Sequence, residues 1–154
     1  MTDALVIIAS TRAAAGTLAD RSGPILVNWL RERGFATPDP VIVADADLPA
    51  YLDFLAFPQV VLISGGTGLT PDDITVDTLA PRLHREIPGI AHAFWALGTQ
   101  HVPTAVLSRT LAGTIGTTFI MALPGSTGAA RDATTVLSPL IDHIVASLQG
   151  HHDH

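Results

Sequence analysis

The chain of 154 residues contains no cysteine and no lysine. Without cysteine it can form neither a disulfide nor a thiolate metal site, and thiol catalysis is excluded. Without lysine it cannot form a Schiff base with a substrate or use the lysine of a Walker-type phosphate loop. These two absences exclude whole classes of enzyme.

Long hydrophobic runs and basic stripes are also missing. No run approaches the roughly 18 to 20 apolar residues of a membrane helix, because proline, glycine, aspartate or arginine interrupts each one. The net charge is -6, and the 8 basic residues are scattered arginines, so nucleic acid is a poor candidate partner. We therefore expect neither membrane nor nucleic-acid binding. The N-terminus lacks the basic segment of a signal peptide, which predicts a cytoplasmic protein.

Hydrophobic residues make up 47% of the chain and charged residues 14%, a composition that excludes disorder. The length suits one domain, predicted over residues 1–150, with any site built inside the fold or between copies. The excess of apolar residues suggests a subunit interface. Residues 151–154, three of them histidine, are predicted to be a disordered tail that binds metal at most adventitiously.

Short apolar runs alternate with helical patterns, which predicts a three-layer α/β sandwich around a mostly parallel sheet. Strands are predicted at residues 4–9, 40–43, 60–63, 105–107 and 118–123, with a loop at 108–116. Helices are predicted near residues 23–34, 77–85, 89–97 and 129–148, the last containing Pro139, and only a short helix is predicted within residues 48–58. Right-handed crossovers then place the loops that follow the strands at one edge of the sheet.

The strongest local signal is the run Ser64-Gly65-Gly66-Thr67-Gly68, which follows the clearest predicted strand. Glycines in such a turn let backbone amides point at an anion, usually a phosphate. The run matches neither the Walker pattern nor the dinucleotide fingerprint GxGxxG, so an ordinary structural turn stays an open alternative. A second glycine turn at residues 123–128 also joins a strand to a helix, and both turns would face one crevice.

Aspartates lie close to these predicted turns. Asp45 and Asp47 come directly after the second predicted strand, and Asp72 and Asp73 follow the first glycine turn. Carboxylates repel phosphates unless a cation lies between them, so the pattern suggests Mg²⁺ bound to a polyphosphate. A nicotinamide-binding Rossmann domain is disfavoured, because its pyrophosphate would meet these carboxylates without a cation. The scattered histidines show no metal-ligand spacing, and we expect none of them to be catalytic.

Several motifs stand in the order and spacing of a known family. They are Asp20-Arg21-Ser22-Gly23-Pro24, Val43-Ala44-Asp45, Gly65-Gly66-Thr67-Gly68, Asp73-x-Thr75, Glu86-x-Pro88-Gly89, Leu107-Ser108-Arg109 and Leu123-Pro124-Gly125. On these motifs the chain resembles the MogA/MoaB-like molybdenum-cofactor biosynthesis family over nearly its whole length. The resemblance implies an α/β sandwich that assembles as a homotrimer.

The same resemblance implies an enzyme. Catalytic members of the family are molybdopterin adenylyltransferases: they transfer AMP from Mg·ATP to the terminal phosphate of molybdopterin and release pyrophosphate. The product is then ready for metal insertion, which implies a molybdenum-insertion enzyme as a downstream partner. Mg²⁺ is the implied cofactor, and ATP and molybdopterin are the implied substrates.

The family's functional residues can be carried onto this sequence. Its two functional aspartates fall on Asp45 and Asp73, which would be catalytic and would hold Mg²⁺ through the phosphates. The implied substrate- and nucleotide-binding residues are Arg12, Gly65, Gly66, Thr67, Gly68, Ser108, Arg109, Pro124, Gly125 and Ser126. Among them, the glycine run would cradle phosphates, and Ser108 with Arg109 would contact the pterin or its phosphate.

The sequence departs from the family pattern at two places. Gly98 stands where catalytic relatives carry a serine that helps to hold the pterin, and the segment between Asp45 and Ser64 is several residues shorter. A second hypothesis therefore stays open: a non-catalytic member that binds molybdopterin or a nucleotide. Ligand affinity without turnover would select that alternative.

Overall fold

A computed structural model describes residues 3–151 of the chain. Its strands are β1 (Ala4–Ala9), β2 (Val41–Val43), β3 (Val60–Ser64), β4 (Arg85–Glu86), β5 (Leu111–Ile115) and β6 (Thr118–Leu123). Its helices are α1 (Thr11–Ala14), α2 (Ser22–Glu32), α3 (Leu48–Phe54), α4 (Thr75–Leu79), α5 (Pro88–Gly98), α6 (Thr127–Leu137) and α7 (Ile141–Leu148). Of the predicted tail, residues 152–154 lie outside the described range.

The six strands form one sheet in the order β2-β1-β3-β6-β5-β4. β2, β1, β3 and β6 run parallel, whereas β5 is antiparallel to both of its neighbours. Every residue of β1 and β3 is buried, and a parallel strand covered on both faces requires such a continuous apolar run. The predicted α/β fold with a mostly parallel sheet is confirmed.

Two apolar clusters lie on opposite faces of the sheet. Because successive side chains of a strand point to opposite faces, Val6 and Ile8 of β1 join one cluster and Leu5 and Ile7 join the other. The first cluster packs α2, α5, α6 and the start of α7 against the sheet. The second packs α3 and α4 against the other face. The result is the predicted three-layer sandwich.

Two predictions around the second half of the sheet were wrong. Residues 105–107, predicted to be a strand, lie in the 3₁₀ helix Pro103–Leu107, where Val106 and Leu107 are more than half exposed. The next strand in the chain is β5, which lies within residues 108–116, where a loop was predicted. Gly113 sits in β5 opposite Glu86 of β4, where a side chain would collide with the Arg85 carbonyl. Close backbone approach thus accounts for a glycine inside this strand.

Prolines shorten two of the predicted helices. The predicted helix 129–148 is two helices, α6 and α7, because Pro139 between them cannot donate the hydrogen bond that would continue α6. The predicted helix 77–85 is α4 followed by the 3₁₀ helix Ala80–Arg82, which contains Pro81, and then β4. Among the described residues, no helix is both long and apolar enough to cross a membrane.

The carboxyl ends of the four parallel strands meet at one edge of the sheet. α1 begins there just after β1, Asp45 follows β2, the glycine run follows β3, and Pro124 follows β6. Open α/β sheets bind their ligands at this edge. The fold therefore brings the strand-end loops of the predicted site to one side of the molecule.

Candidate functional site

The glycine loop, residues 65–68, begins where β3 ends. Gly65 and Gly66 have φ angles of 107° and 71°, a region that side-chain-bearing residues rarely adopt. A Cβ at Gly65 would collide with the carbonyl oxygen of Ala9, and a Cβ at Gly66 with the hydroxyl of Thr75. The Gly65 amide donates to the Leu123 carbonyl at 2.8 Å. This bond ties the glycine loop to the second glycine turn.

Two cavities open on either side of these turns. One, the apolar cavity, has a volume of about 600 Å³ and the other, the cationic cavity, about 640 Å³. Gly66, Gly125 and Ser126 line both of them and form a shared wall. Because two of the three wall residues are glycines, the wall is mainly backbone. A ligand in either cavity therefore lies against this backbone.

The apolar cavity lies between the glycine loop, the end of α5, the 3₁₀ helix Pro103–Leu107 and the start of α6. Phe94 forms part of its floor, and Leu69, Val102 and Leu107 at its rim are 71%, 52% and 54% exposed. Its polar side chains include Asp73, Thr104, Ser108 and Asp132. Apolar walls with a few placed polar groups suit a flat heterocyclic ligand.

The cationic cavity is lined by Arg12 and Arg21. Neither guanidinium has an ion-pair partner within residues 3–151. The carboxylate of Asp20, which also lines this cavity, accepts hydrogen bonds from the Ser22 and Gly23 amides at 3.1 and 3.0 Å. The N-terminus of α6, capped by Ser126, adds its partial positive charge. This cavity suits a phosphate-bearing ligand.

Asp73 lies at the rim of the apolar cavity and has one engaged and one free carboxylate oxygen. Its Oδ2 accepts hydrogen bonds from the Thr70 amide at 2.9 Å and the Thr70 hydroxyl at 2.8 Å. Its Oδ1 has no hydrogen-bond partner in the described part of the chain. The side chain therefore holds the turn after the glycine loop and still presents one oxygen to a ligand or cation.

Arg109 holds the glycine loop and the turn after it in place. Its Nε donates to the Gly68 carbonyl at 3.1 Å, and its NH2 group donates to the Asp73 carbonyl at 2.8 Å. Its NH1 group pairs with both oxygens of Asp77, at 2.9 and 3.1 Å. The hydrogen bond from Arg109 lowers the pKa of Asp77 and raises that of Arg109. This geometry favours a positioning role for Arg109, whose direct contact with substrate stays a prediction.

A chain of hydroxyls connects the glycine loop to the start of β5. The Thr67 hydroxyl lies 2.9 Å from that of Ser108, which lies 3.0 Å from that of Thr110. The Arg109 amide also donates to the Thr67 carbonyl at 2.8 Å. Ser108 thus lines the apolar cavity, and its hydroxyl is already part of this network. Its contact with the pterin or its phosphate stays a prediction.

Asp45 stands apart from both cavities. Its Oδ2 accepts hydrogen bonds from the Thr11 amide at 3.2 Å and the Thr11 hydroxyl at 2.9 Å. It follows β2, which β1 separates from β3, so the ends of β2 and β3 are about 10 Å apart at two strand spacings. The structure therefore does not place Asp45 in the same cavity as Asp73. Thr11, which leads into Arg12, connects Asp45 to the cationic cavity.

The predicted residues fall into four groups. Both cavities are lined by Gly66, Gly125 and Ser126. The apolar cavity is also lined by Thr67, Gly68, Asp73, Ser108 and Pro124. The cationic cavity is also lined by Arg12 and Gly65. Arg109 and Asp45 line neither. The sequence reasoning did not select Arg21, Thr11 or Asp132 for the site. The available signal for Arg21 was its place in the quoted motif Asp20-Arg21-Ser22-Gly23-Pro24, and for Asp132 its place on the helix that follows the second glycine turn.

Comparison with known proteins gives a consistent result. The molybdenum cofactor biosynthesis bifunctional protein of Chlorobaculum tepidum is 41% identical over 152 residues, covering 94% of this chain and 48% of that protein. The chain spans about half the length of this and a second bifunctional relative. Molybdenum cofactor biosynthesis protein B of Bacillus anthracis is 34% identical, covering 94% of this chain and 88% of its own.

A solved structure and a family model agree with these relatives. The molybdopterin biosynthesis Mog protein from Mycobacterium ulcerans matches with a TM-score of 0.85 and 38% identity, over 97% of each chain. A family model described as "Probable molybdopterin binding domain" matches residues 5–143. That range contains both glycine turns and both cavities. The chain therefore belongs to the molybdopterin-binding domain family of molybdenum cofactor biosynthesis.

Proposed function

We propose that this chain is a molybdopterin adenylyltransferase, which transfers AMP from Mg·ATP to the terminal phosphate of molybdopterin. The observation that carries the proposal is the pair of cavities of opposite character that meet at the backbone wall of Gly66, Gly125 and Ser126. The reaction joins a flat pterin to a nucleotide through phosphates. An apolar cavity, a wall made mainly of backbone and a cationic cavity suit those three parts.

In this proposal the pterin occupies the apolar cavity and the phosphates lie against the shared wall. Backbone amides of the glycine loop and the N-terminus of α6 would face the phosphates. Arg12 and Arg21 would hold the nucleotide's phosphates from the cationic cavity. The reacting phosphates then meet at the wall, where neither partner needs to cross a side chain.

The reaction itself needs positioning and charge stabilisation more than covalent help. An oxygen of the molybdopterin phosphate attacks the α-phosphorus of ATP, a new P–O–P bond forms, and the bond to the β-phosphate oxygen breaks to release pyrophosphate. The substrate phosphate is already an anionic nucleophile, so no general base is required. The arginines and amides would stabilise the charge that develops on the oxygens around the α-phosphorus.

The carboxylates fit a cation that arrives with the nucleotide. Within the described residues, no three His, Asp or Glu side chains lie close enough to form a metal cage. Mg²⁺ is commonly held by one or two carboxylates together with substrate phosphates and water, and the free Oδ1 of Asp73 fits that mode. Bound Mg²⁺ would neutralise phosphate charge there. Asp45 would join the site only through its contact with Thr11, the neighbour of Arg12.

The second candidate is a non-catalytic member that binds molybdopterin or a nucleotide. Two observations favour it: Gly98 lines the apolar cavity without the serine of catalytic relatives, and Asp45 lines neither cavity. Binding would then survive because both cavities are intact, while transfer would fail. The homotrimer and the downstream molybdenum-insertion enzyme stay predictions.

An assay of purified protein with Mg²⁺, ATP and molybdopterin tests the proposal by following pyrophosphate and the adenylylated product. In Asp73→Asn, the amide oxygen can still accept from Thr70, while NH₂ replaces the free oxygen. We expect transfer to fall by about 100-fold, as when one preorganised stabilising group is removed. Asp72→Asn is the matched control, because Asp72 is exposed and lines neither cavity.

Product formed by the wild type and lost only in Asp73→Asn supports the adenylyltransferase. Affinity for molybdopterin without any product would select the non-catalytic alternative. If Asp73→Asn and Asp72→Asn transferred AMP at the same rate as the wild type, Asp73 would not be a catalytic residue.

A further inference from the structure

Asp132 places a carboxylate without a partner in the apolar cavity. It lies on α6 one turn after Gly128, which lines the same cavity, so both face the ligand space. The residue is only partly exposed. No hydrogen bond or ion pair within residues 3–151 reaches its side chain. Such a carboxylate beside apolar walls lacks part of its hydration and gains from a ligand that donates hydrogen bonds.

The space in front of this carboxylate is open because residue 98 is glycine. A Cβ at Gly98 would lie 3.7 Å from the Asp132 Oδ2 and 3.0 Å from the Ala105 Cβ. A larger side chain at position 98 would therefore press on Ala105 and stand beside the carboxylate. Because glycine has no side chain at position 98, a ring that lies along the end of α5 can reach Asp132 directly.

The other ionisable groups that line the cavity are Asp73 and His101. One oxygen of Asp73 is engaged by Thr70, and His101 is exposed at the rim. Among the described residues no arginine lines this cavity, so the interior they form carries carboxylates and no fixed cation. Such an interior repels an anionic group and favours N–H donors. A carboxylate can accept two parallel N–H bonds at once.

We propose that Asp132 is a specificity-determining residue that recognises the 2-amino-4-oxopyrimidine edge of a pteridine. That edge offers an amino group and a ring N–H side by side, which matches the two oxygens of one carboxylate. Asp132 then supplies a ring contact in the place where Gly98 supplies none. The inference rests on the proposed binding of a pterin in the apolar cavity and adds which atom pattern is read there.

A pair of small fluorescent ligands tests the proposal. 6,7-Dimethylpterin carries the 2-amino group, and 6,7-dimethyllumazine has an oxygen at that position, so a donor becomes an acceptor facing the carboxylate. Affinities are measured by fluorescence titration of each ligand with wild-type protein, Asp132→Asn and Asp72→Asn. Circular dichroism and thermal melting establish that each variant is folded.

We expect the wild type and Asp72→Asn to bind the pterin at least about tenfold more tightly than the lumazine, because a charge-assisted hydrogen bond is lost in the lumazine. In Asp132→Asn the preference should shrink to less than about threefold, since the amide can both donate and accept. A folded Asp132→Asn that keeps the full preference would overturn the role of Asp132 and leave pterin binding intact. Failure of the wild type to bind either ligand would overturn this inference together with the pterin assignment of the cavity. If the protein bound the pterin but did not transfer AMP, the role of Asp132 in pterin recognition would be unaffected.

Discussion

Replacement of Arg109 by lysine tests whether the guanidinium fork holds the turn after the glycine loop. Lysine keeps the positive charge and can still approach Asp77, but its single ammonium cannot reach the carbonyls of Gly68 and Asp73 together. The substitution therefore separates the two carbonyl bonds from the ion pair.

The magnitude follows from those two bonds. A hydrogen bond from a charged donor contributes about 1.5 to 3 kcal/mol when fully protected. The Arg109 side chain is 35% exposed, so water can replace part of each bond, and we expect Arg109→Lys to cost about 1–2 kcal/mol in all. For a chain of this size that lowers the melting temperature by about 2–8 °C.

Thermal melting and amide hydrogen exchange measure the effect without any assumption about the ligand. Exchange should accelerate at residues 68–73, which Arg109 holds, and stay unchanged in β1. Arg131→Lys is the matched control, since Arg131 is exposed on α6 and its side chain makes no hydrogen bond in the described structure. A melting temperature within about 1 °C of the wild type, with unchanged exchange in the loop, would refute the reasoning. If Asp77→Asn were as damaging as Arg109→Lys, the ion pair and not the carbonyl bonds would hold the loop.

Two further predictions concern the same region. Gly66→Ala should lower the free energy of unfolding by at least about 1–3 kcal/mol from its φ alone, and its Cβ would also clash with the Thr75 hydroxyl. Gly125→Ala is the control: its Cβ would have no neighbour nearer than 3.6 Å, so it should melt close to the wild type. Equal melting temperatures of the two alanine variants would contradict the strain argument. The lowered pKa of Asp77 means that its pairing with Arg109 stabilises the fold above the ordinary carboxyl pKa of 3.8 and is lost as the pH falls through the lower folded pKa. The difference in melting temperature between wild type and Asp77→Asn should accordingly be constant near neutral pH and disappear in acid, and a difference that grows in acid would show that the pKa is raised.

Of the four strands that the sequence predicted correctly, β1, β3 and β6 are buried at every residue, whereas the short edge strand β2 is partly exposed. β1, β3 and β6 are continuous apolar runs, and their patterns have no competing interpretation. β5 was not predicted because its short segment Leu-Ala-Gly-Thr-Ile contains a glycine and an alanine, which weaken the strand pattern. The close approach of β4 explains the glycine, and the sequence does not reveal that approach. Residues 105–107 are as apolar as a strand, yet they lie in a 3₁₀ helix at the rim of the apolar cavity. Tertiary context decided both cases.

The site was predictable as far as motifs mark strand ends. The glycine loop, Asp73 and the second glycine turn lie together because parallel strands end at the same edge. The engagement of Asp45 depends on its hydrogen bonds with Thr11, and the engagement of Arg109 depends on Asp77. Such pairings join residues about 30 positions apart, and neither residue type nor spacing reveals them.

The shared wall limits how the ligand preference of this protein can be redesigned. Gly66 cannot accept a side chain without strain, and the Ser126 hydroxyl is committed to capping α6 through the Ala129 amide at 3.1 Å. Substitution of Gly66 or Ser126 in the shared wall would therefore damage the scaffold before it altered chemistry. Engineering of new substrates should therefore leave the shared wall alone and vary the outer surfaces of each cavity: position 21 in the cationic cavity, and the neighbouring positions 98 and 132 together in the apolar cavity.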